Sequence, residues 1–259
     1  MEHNQFKDIT LLVTHYNRSQ SLQRLLKSFA GQQIVFGDIV VSDDGSQPEH
    51  VAQLKSIEKE YGFRLITAVK NAGLGNNINK GQDAVKTRYT LYVQEDFDPL
   101  PGYATHLKDA LDIMEERTDI DLVRFYAYFR YPYLKPFRKG YSEMTFKIWY
   151  PGHRKFHCYS DHPHLRRTTF FEKFGRYREG IKGDRTEFLM ALSFLKNKGR
   201  AMFYENFKSL FDQLNSADEP STMKRSDFRQ SDNLFIGVAR AVYRNVKHTA
   251  ELLAFKPHK

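Results

Sequence analysis

Ile9-Thr10-Leu11-Leu12-Val13-Thr14-His15-Tyr16-Asn17-Arg18 is the stretch whose reading decides the fold. Its first five residues are a run of apolar and β-branched side chains, as expected of a strand covered on both faces. The polar turn Thr14–Arg18 ends that strand. Leu22, Leu25, Leu26 and Phe29 then recur at helical spacing, with Ser19 or Ser21 as candidate N-cap. The same alternation repeats outward. Ile39-Val40-Val41 reads as a second strand, cut by Asp43-Asp44-Gly45-Ser46, and Val51, Leu54 and Ile57 begin a second helix. Phe63–Thr67 is a third strand, Asn71-Ala72-Gly73-Leu74-Gly75 a loop, and 77–85 a helix leading to a fourth strand, Tyr89–Val93. Strands and helices alternating at this spacing predict an α/β protein with a mainly parallel sheet covered by helices. Such sheets bind ligands beyond the carboxyl ends of their strands. Every unusual polar cluster of this half follows a strand.

The second half is less regular. Thr105–Met114 reads as a helix and Asp121–Tyr126 as a strand, while the aromatic and basic stretch Tyr126–Tyr159 predicts strands joined by long loops. Phe170–Phe174 and Thr186–Leu195 read as helices, and Asp212–Ser226 is the best linker. Asp232–Phe255 predicts an amphipathic terminal helix, with Leu234, Val238, Val242, Val246 and Leu253 on one stripe among Arg240, Arg244, Lys247 and His248. There is no internal repeat.

The chain has 259 residues, within reach of one or two domains at roughly 100–200 residues each. A hydrophobic fraction of 41% with 27% charged residues excludes a disordered tail or a polytopic membrane protein. The excess of 40 Lys and Arg over 31 Asp and Glu, +9, predicts an anionic partner: nucleic acid, a phosphorylated small molecule or an acidic lipid surface. One cysteine, Cys158, excludes an intrachain disulfide and cysteine-based zinc or redox motifs. The opening residues lack a signal-peptide profile, and no apolar run approaches the roughly 18–20 residues of a membrane span. A cytoplasmic protein is the expectation.

The sharpest motif is Glu95-Asp96-Phe97-Asp98 after the fourth strand. Two carboxylates two residues apart can meet one divalent cation, which in turn neutralises a diphosphate; a solvated acidic turn is the plainer alternative. Asp43-Asp44-Gly45-Ser46 places acids where a base N–H or ribose hydroxyl can be accepted, or forms an Asx turn. The Asn71–Gly75 loop, with Asn79 and Gly81 following, would let backbone approach a phosphate or sugar, or simply begin a helix.

Taken in order, Val-Thr-His-Tyr-Asn-Arg, Val-Val-Ser-Asp-Asp-Gly-Ser, the two Asn-x-Gly segments and Glu-Asp-Phe-Asp-Pro-Leu-Pro-Gly-Tyr resemble the family-two glycosyltransferases of the GT-A fold. The resemblance spans about residues 8–105 and thins over 155–205. It implies a GT-A catalytic domain over 1–210, with a nucleotide-binding half, 1–105, an acceptor-binding half, 106–210, and a helical extension, 211–259. It implies inverting transfer of a sugar from a UDP-, dTDP- or GDP-linked donor to a hydroxyl of a glycan or lipid-linked saccharide, in polysaccharide biosynthesis. Thr14, Tyr16, Asn17 and Arg18 would cup the nucleotide. Asp44, with Asp43 beside it, would contact the base, while Asn71, Gly73 and Asn79 would line nucleotide and donor sugar. Asp96 and Asp98 would hold ribose and a Mn²⁺ or Mg²⁺ ion, with Glu95 as substitute ligand. Ile78 stands where the family often has arginine, so Lys70 or Lys80 would compensate the diphosphate. The general base would be Asp184 or Glu187 in Gly183-Asp184-Arg185-Thr186-Glu187, where Arg185 replaces the family's second acid. A capping box is the structural alternative for that pair.

His153, His157, His162 and His164 read as a metal or acceptor contact, or as a polar loop. Arg166-Arg167 and Arg176-Tyr177-Arg178 read as grips for an anion or as solvated helix faces. The terminal helix either docks on an anionic membrane, placing the protein peripherally on the inner face, or covers the sheet. The alternatives to an active transferase are a catalytically inactive nucleotide-sugar-binding protein of the same fold, a sugar nucleotidyltransferase or a nucleic-acid-binding module. The second lacks its Gly-rich first loop, and the third lacks any recognisable motif.

Overall fold

The computed structural model describes residues 4–214 and 234–256, with the backbone alone over 234–239. β1 (Asn4–His15), β2 (Ile34–Asp43), β3 (Arg64–Thr67) and β4 (Tyr89–Gln94) are mutually parallel. β1 is the axis, with Val13 beside Val41 on one side and Val93 on the other. Successive side chains of a strand point to opposite faces. Leu11 and Val13 therefore enter one apolar cluster and Leu12 the other. On the first face lie α1 (Ser19–Gly31), through Leu22, Leu25 and Phe29, and α2 (Pro48–Tyr61), through Leu54 and Ile57. α4 (Tyr103–Glu116) joins them through Leu107 and Ile113. On the second face lie α3 (Leu74–Asp83), through Ile78, and α5 (Phe170–Phe174). α6 (Gly183–Lys196) completes that face with Met190 and Phe194. The result is a three-layer α/β fold.

After β4 the chain forms β5 (Phe97–Pro99), which lies outside the main sheet and pairs antiparallel with β11 (Phe211–Gln213). The remaining strands are β6 (Leu122–Arg124), β7 (Leu134–Arg138), β8 (Tyr141–Met144), β9 (His164–Arg167) and β10 (Ala201–Tyr204). The sheet order is β3-β2-β1-β4-β9-β6-β10-β8-β7, with β9 antiparallel between β4 and β6. β9 overturns one expectation. Arg166 and Arg167 lie in neither a solvated helix face nor an anion grip. Arg166 is fully buried, donates to Gln82 Oε1 at 2.7 Å and lies over the rings of Tyr92, Phe170 and Phe171. Arg167 donates to the carbonyls of Met114, in the last turn of α4, and of Ile120, in the loop that follows. A strand of four residues carrying one histidine and two arginines has no apolar run by which to be read.

Two local expectations also change. Neither Ser19 nor Ser21 caps α1: Arg18 precedes the helix, without a side-chain cap bond, and Ser19 Oγ pairs instead with His50 Nδ1 at 2.6 Å. α7 (Leu234–Ala254) packs through Leu252 against Phe156 and Leu192. Val242, Val246 and Leu253 of its expected core stripe are exposed, so the stripe does not cover the sheet; the side chains of Leu234 and Val238 lie outside the described residues. Most of the expected linker, 215–226, lies outside them as well, while Asp212 and Gln213 belong to β11. Among the described residues no helix is long and apolar enough to cross a membrane.

Candidate active site

The loops after β1, β2 and β3 are tied into one wall. His15 Nδ1 stands 2.8 Å from Asp43 Oδ1, while Arg18 N–H donates to His15 Nε2 at 3.2 Å, leaving Nδ1 as the donor to the carboxylate. Ser46 N–H donates to Asp43 Oδ2 at 3.1 Å. Burial alone would raise the Asp43 carboxyl, but the hydrogen bonds from His15 and Ser46 outweigh it and hold the group below its ordinary value. Asp43 is thus a buried fixture of the turn.

Asp44 acts across the wall. It accepts from Ala72 N–H and Gly73 N–H, each at 2.9 Å, and burial pushes its carboxyl upward against those bonds. Gly45 (φ +70°) lets the turn close, since a Cβ there would stand 2.4 Å from the Lys70 carbonyl carbon. Asn17, itself at φ 53°, donates N–H to Ser46 Oγ and accepts from Gln47 N–H, both at 2.8 Å. Tyr16 is half-buried beside it, while Asn71 and Lys70 are exposed at the rim, next to Gly73. Lys80 turns inward to the carbonyl of Asp43 rather than outward, and burial lowers its pKa. Thr14 lies beneath the wall, hydroxyl to hydroxyl with Tyr92 at 3.0 Å.

The acidic turn is adjacent, at the end of β4. Arg18 is buried and inserted into it, with Nη1 3.4 Å from Asp96 Oδ2 and 3.7 Å from Glu95 Oε1. Gln213 Nε2 donates to Asp96 Oδ2 at 3.0 Å, and Tyr128 Oη donates to Gln213 Oε1 at 2.9 Å. Leu214 N–H donates to the Asp96 carbonyl at 2.8 Å. Asp98 is held by Arg24 Nε at 2.7 Å; burial raises its carboxyl and Arg24 opposes that. Asp96 Oδ1 and Asp98 Oδ1 are both buried without a hydrogen-bond partner. Leaving such oxygens unsatisfied is costly.

Glu187 of α6 approaches the same edge. β9 runs antiparallel to β4, with His164 opposite Tyr92, so the residues just before β9 lie at the carboxyl end of β4. One of them, Asp161, donates its N–H to Glu187 Oε1 at 3.0 Å. Its Oδ1 accepts from Tyr159 and Tyr177, each at 2.9 Å, while Oδ2 is buried and unpartnered. Burial, with the nearby Glu187 charge adding to it, pushes the Asp161 carboxyl up to about 7. Asp184, one turn before Glu187, shares its side of α6 and is exposed. The capping box does not form, because Lys182 precedes the helix and no side chain caps it. Asn79 is buried and its amide is fully engaged within the fold, accepting from Tyr177 N–H and donating to the Tyr177 carbonyl and Glu179.

The histidines do not form one group. His164 is buried within β9, with Nδ1 2.8 Å from the His162 carbonyl. His157 is buried enough to titrate near 3. His162 sits edge-on to Tyr128, with ring centroids 4.4 Å apart. Among the described residues no three His, Cys, Asp or Glu side chains are grouped as a metal site. Arg176 pairs with Asp83 at 2.7 and 2.8 Å rather than facing a ligand. The Cys158 thiol is buried and pushed up to about 12. Asp161, Gln213 and Tyr128 are the site residues the sequence reading misses. For Asp161 a signal was present, an acid between histidines just upstream of the acidic helix.

A mainly parallel sheet with an acid-clamped loop wall and acids after its central strands defines a Rossmann-like protein of the GT-A kind. The chain belongs to glycosyl transferase family 2, whose profile matches residues 10–175. The crystal structure of S. aureus TarS 1–349 in complex with UDP-GlcNAc superposes with a TM-score of 0.61 at 17% identity, covering 95% of this chain and 70% of that one. The mannosyltransferase PcManGT from Pyrobaculum calidifontis, in complex with GDP-Man and Mn²⁺, gives 0.59 at 10% identity, covering 97% and 66%. Likeness at such identities shows the fold. A poly-beta-1,6-N-acetyl-D-glucosamine synthase of Staphylococcus epidermidis is 25% identical over 95 residues, 37% of this chain and 23% of the synthase. A cholesterol galactosyltransferase of Borreliella burgdorferi is 24% identical over 123 residues, 47% of this chain and 33% of that enzyme. The chain therefore matches only a minor part of either relative's length.

Proposed function

We propose that this chain is an inverting glycosyltransferase that moves a sugar from a nucleotide-diphosphate donor to a hydroxyl of a glycan or lipid-linked saccharide. The observation that carries this reading is that the Asp44-clamped wall, the open oxygens of Asp96 and Asp98, and Glu187 of α6 share one edge of the sheet, with Asp184 one turn before Glu187. Relatives of the same fold are complexed with UDP-GlcNAc and GDP-Man, which supports a nucleotide-sugar donor.

The wall made by Asp44, Asn71 and Gly73 would receive the base, with Tyr16 and Asn17 flanking it. Asp96 and Asp98, each with a buried unpartnered oxygen, suit a hard divalent cation such as Mn²⁺ or Mg²⁺ that also takes diphosphate oxygens. Such an ion would neutralise charge on the departing diphosphate. Transfer forms the bond from acceptor oxygen to anomeric carbon as the bond from that carbon to diphosphate breaks, from the opposite face. The hydroxyl proton passes to a carboxylate of α6. Asp184 is our candidate base because it is exposed on the first turn; Glu187 has one oxygen occupied by the Asp161 amide.

The test is a binding and hydrolysis screen of UDP-, GDP- and dTDP-sugars with Mn²⁺, Mg²⁺ or EDTA. Metal-dependent binding of one nucleotide, lost in Asp98→Ala, is expected. Slow donor hydrolysis that disappears in Asp184→Ala and survives in Glu187→Ala identifies the base; the reverse pattern transfers the role to Glu187. Absence of nucleotide-sugar binding under every condition overturns the proposal.

A further inference from the structure

α7 turns outward the face that its sequence pattern would have buried. Val242, Tyr243, Val246 and Leu253 are 59%, 64%, 64% and 64% exposed, while Leu252 on the other side is buried against Phe156 and Leu192. At about 100° per residue, Val242, Val246 and Leu253 fall on one line of the helix, with Tyr243 at its side. Counted the same way, Lys247 and then Arg240 follow Tyr243 at one edge of that face, while Arg244 lies on the far side of the helix from the apolar line. Near the carboxyl end of the helix the edge runs into a cleft of about 520 Å³ whose lining includes Arg178, Arg185, Leu189, Phe255 and Lys256. Its one acid, Glu251, is paired with Arg185 at 2.9 Å.

We propose that this face of α7, with the adjoining cleft, docks on an anionic lipid bilayer, the apolar line entering the headgroup boundary while the cationic edge and cleft take lipid phosphates. An exposed apolar line bordered by lysine and arginine is the pattern of a helix lying in a membrane interface. Tyrosine, apolar in body and polar at the tip, suits that depth. Charge selects the occupant. The chain carries +9, and a second copy would bring the same cations against each other, whereas an acidic surface attracts them. The adjoining cleft opens on the side of α6 opposite Glu187, because Arg185, which lines it, and Glu187, two residues apart on one helix, point in opposed directions. Docking there leaves the candidate cleft open to an acceptor.

The experiment is flotation of the full 259-residue chain with phosphatidylcholine vesicles, and with vesicles of equimolar phosphatidylcholine and phosphatidylglycerol. It is read without any sugar donor, so its failure is separate from failure of the transferase reading. Binding to the anionic vesicles alone, weakened by salt, is expected. Val242→Asp with Val246→Asp should abolish it while leaving the melting temperature unchanged, since both side chains are exposed. Lys247→Glu and Lys256→Glu should each weaken partition roughly fivefold or more. Three results would overturn the proposal: no binding to anionic vesicles, equal binding to neutral ones, or undiminished binding by the double aspartate variant. A dimer dissolved by that variant, without vesicle binding, would assign the face to a second copy instead.

Discussion

Residues 4–94 and residues 121–214 contribute to one edge of the sheet by opposite means. In the first, long strands with buried aliphatic side chains carry loops whose polar groups are satisfied within the same half, as Asp43 is by Ser46 and Asp44 by Ala72 and Gly73. In the second, strands of three to five residues carry charge into the interior, and the partners come from far along the chain. Arg166 reaches Gln82 and Gln213 holds Asp96, both outside that half. A periodic strand announces both itself and the site at its end. A short strand whose core residues are polar announces neither.

That contrast can be attacked where it is strongest. Arg166→Ala removes a fully buried side chain with its ring contacts, and should cost about 4 kcal/mol in urea unfolding. A loss below about 1 kcal/mol would mean that the second region does not depend on its buried charge. Where the two regions meet, Asp96→Asn keeps the shape and removes the charge. It should weaken metal-dependent nucleotide binding about a hundredfold with little change in stability, read by titration calorimetry with Mn²⁺.

Asp161 tests the same contrast through pH. Its carboxyl is raised from 3.8 to about 7, so the folded state keeps a proton that the unfolded state has already lost. The stabilisation is fully present below about pH 4 and is lost as pH rises towards 7, with a slope of at most about 1.4 kcal/mol per pH unit. Asp161→Asn should flatten that part of the profile. An unchanged profile would show that Asp161 is ionised in the fold. Gln213→Ala, which frees Asp96 Oδ2 of one donor, should weaken Mn²⁺ binding about tenfold, with Tyr128→Phe following in the same direction and by less. The smallest effect belongs to Arg176→Ala. Its pair with Asp83 is exposed, and chemical denaturation should register about 0.5 kcal/mol or less.

What could be read in advance follows the same division. β1 to β4, the helices between them and the positions of Asp44 and Asp96 at strand ends follow from apolar periodicity broken by acids and glycine. The inward turn of Lys80 and Asn79 did not, because a polar residue on a helix looks the same whether it faces a ligand or a neighbouring loop. β9 was hidden because His164 and Arg166 replace the aliphatic residues of a core strand. Gln213 lies 117 residues from Asp96, a separation at which no local pattern operates. Whether the apolar stripe of α7 meets a membrane or covers the sheet was not legible, because the residue that packs against Phe156 and Leu192 is Leu252, outside that stripe.

The two bonds from Asp44 to the amides of Ala72 and Gly73, together with the closure at Gly45, have a kinetic consequence. A recognition loop that is disordered until its ligand arrives must be frozen during association, which slows capture and reduces affinity. Here the wall is already joined to the end of β2. A ligand reaching it would meet a finished surface, so its rate of capture should follow diffusion and charge steering rather than the folding of a loop.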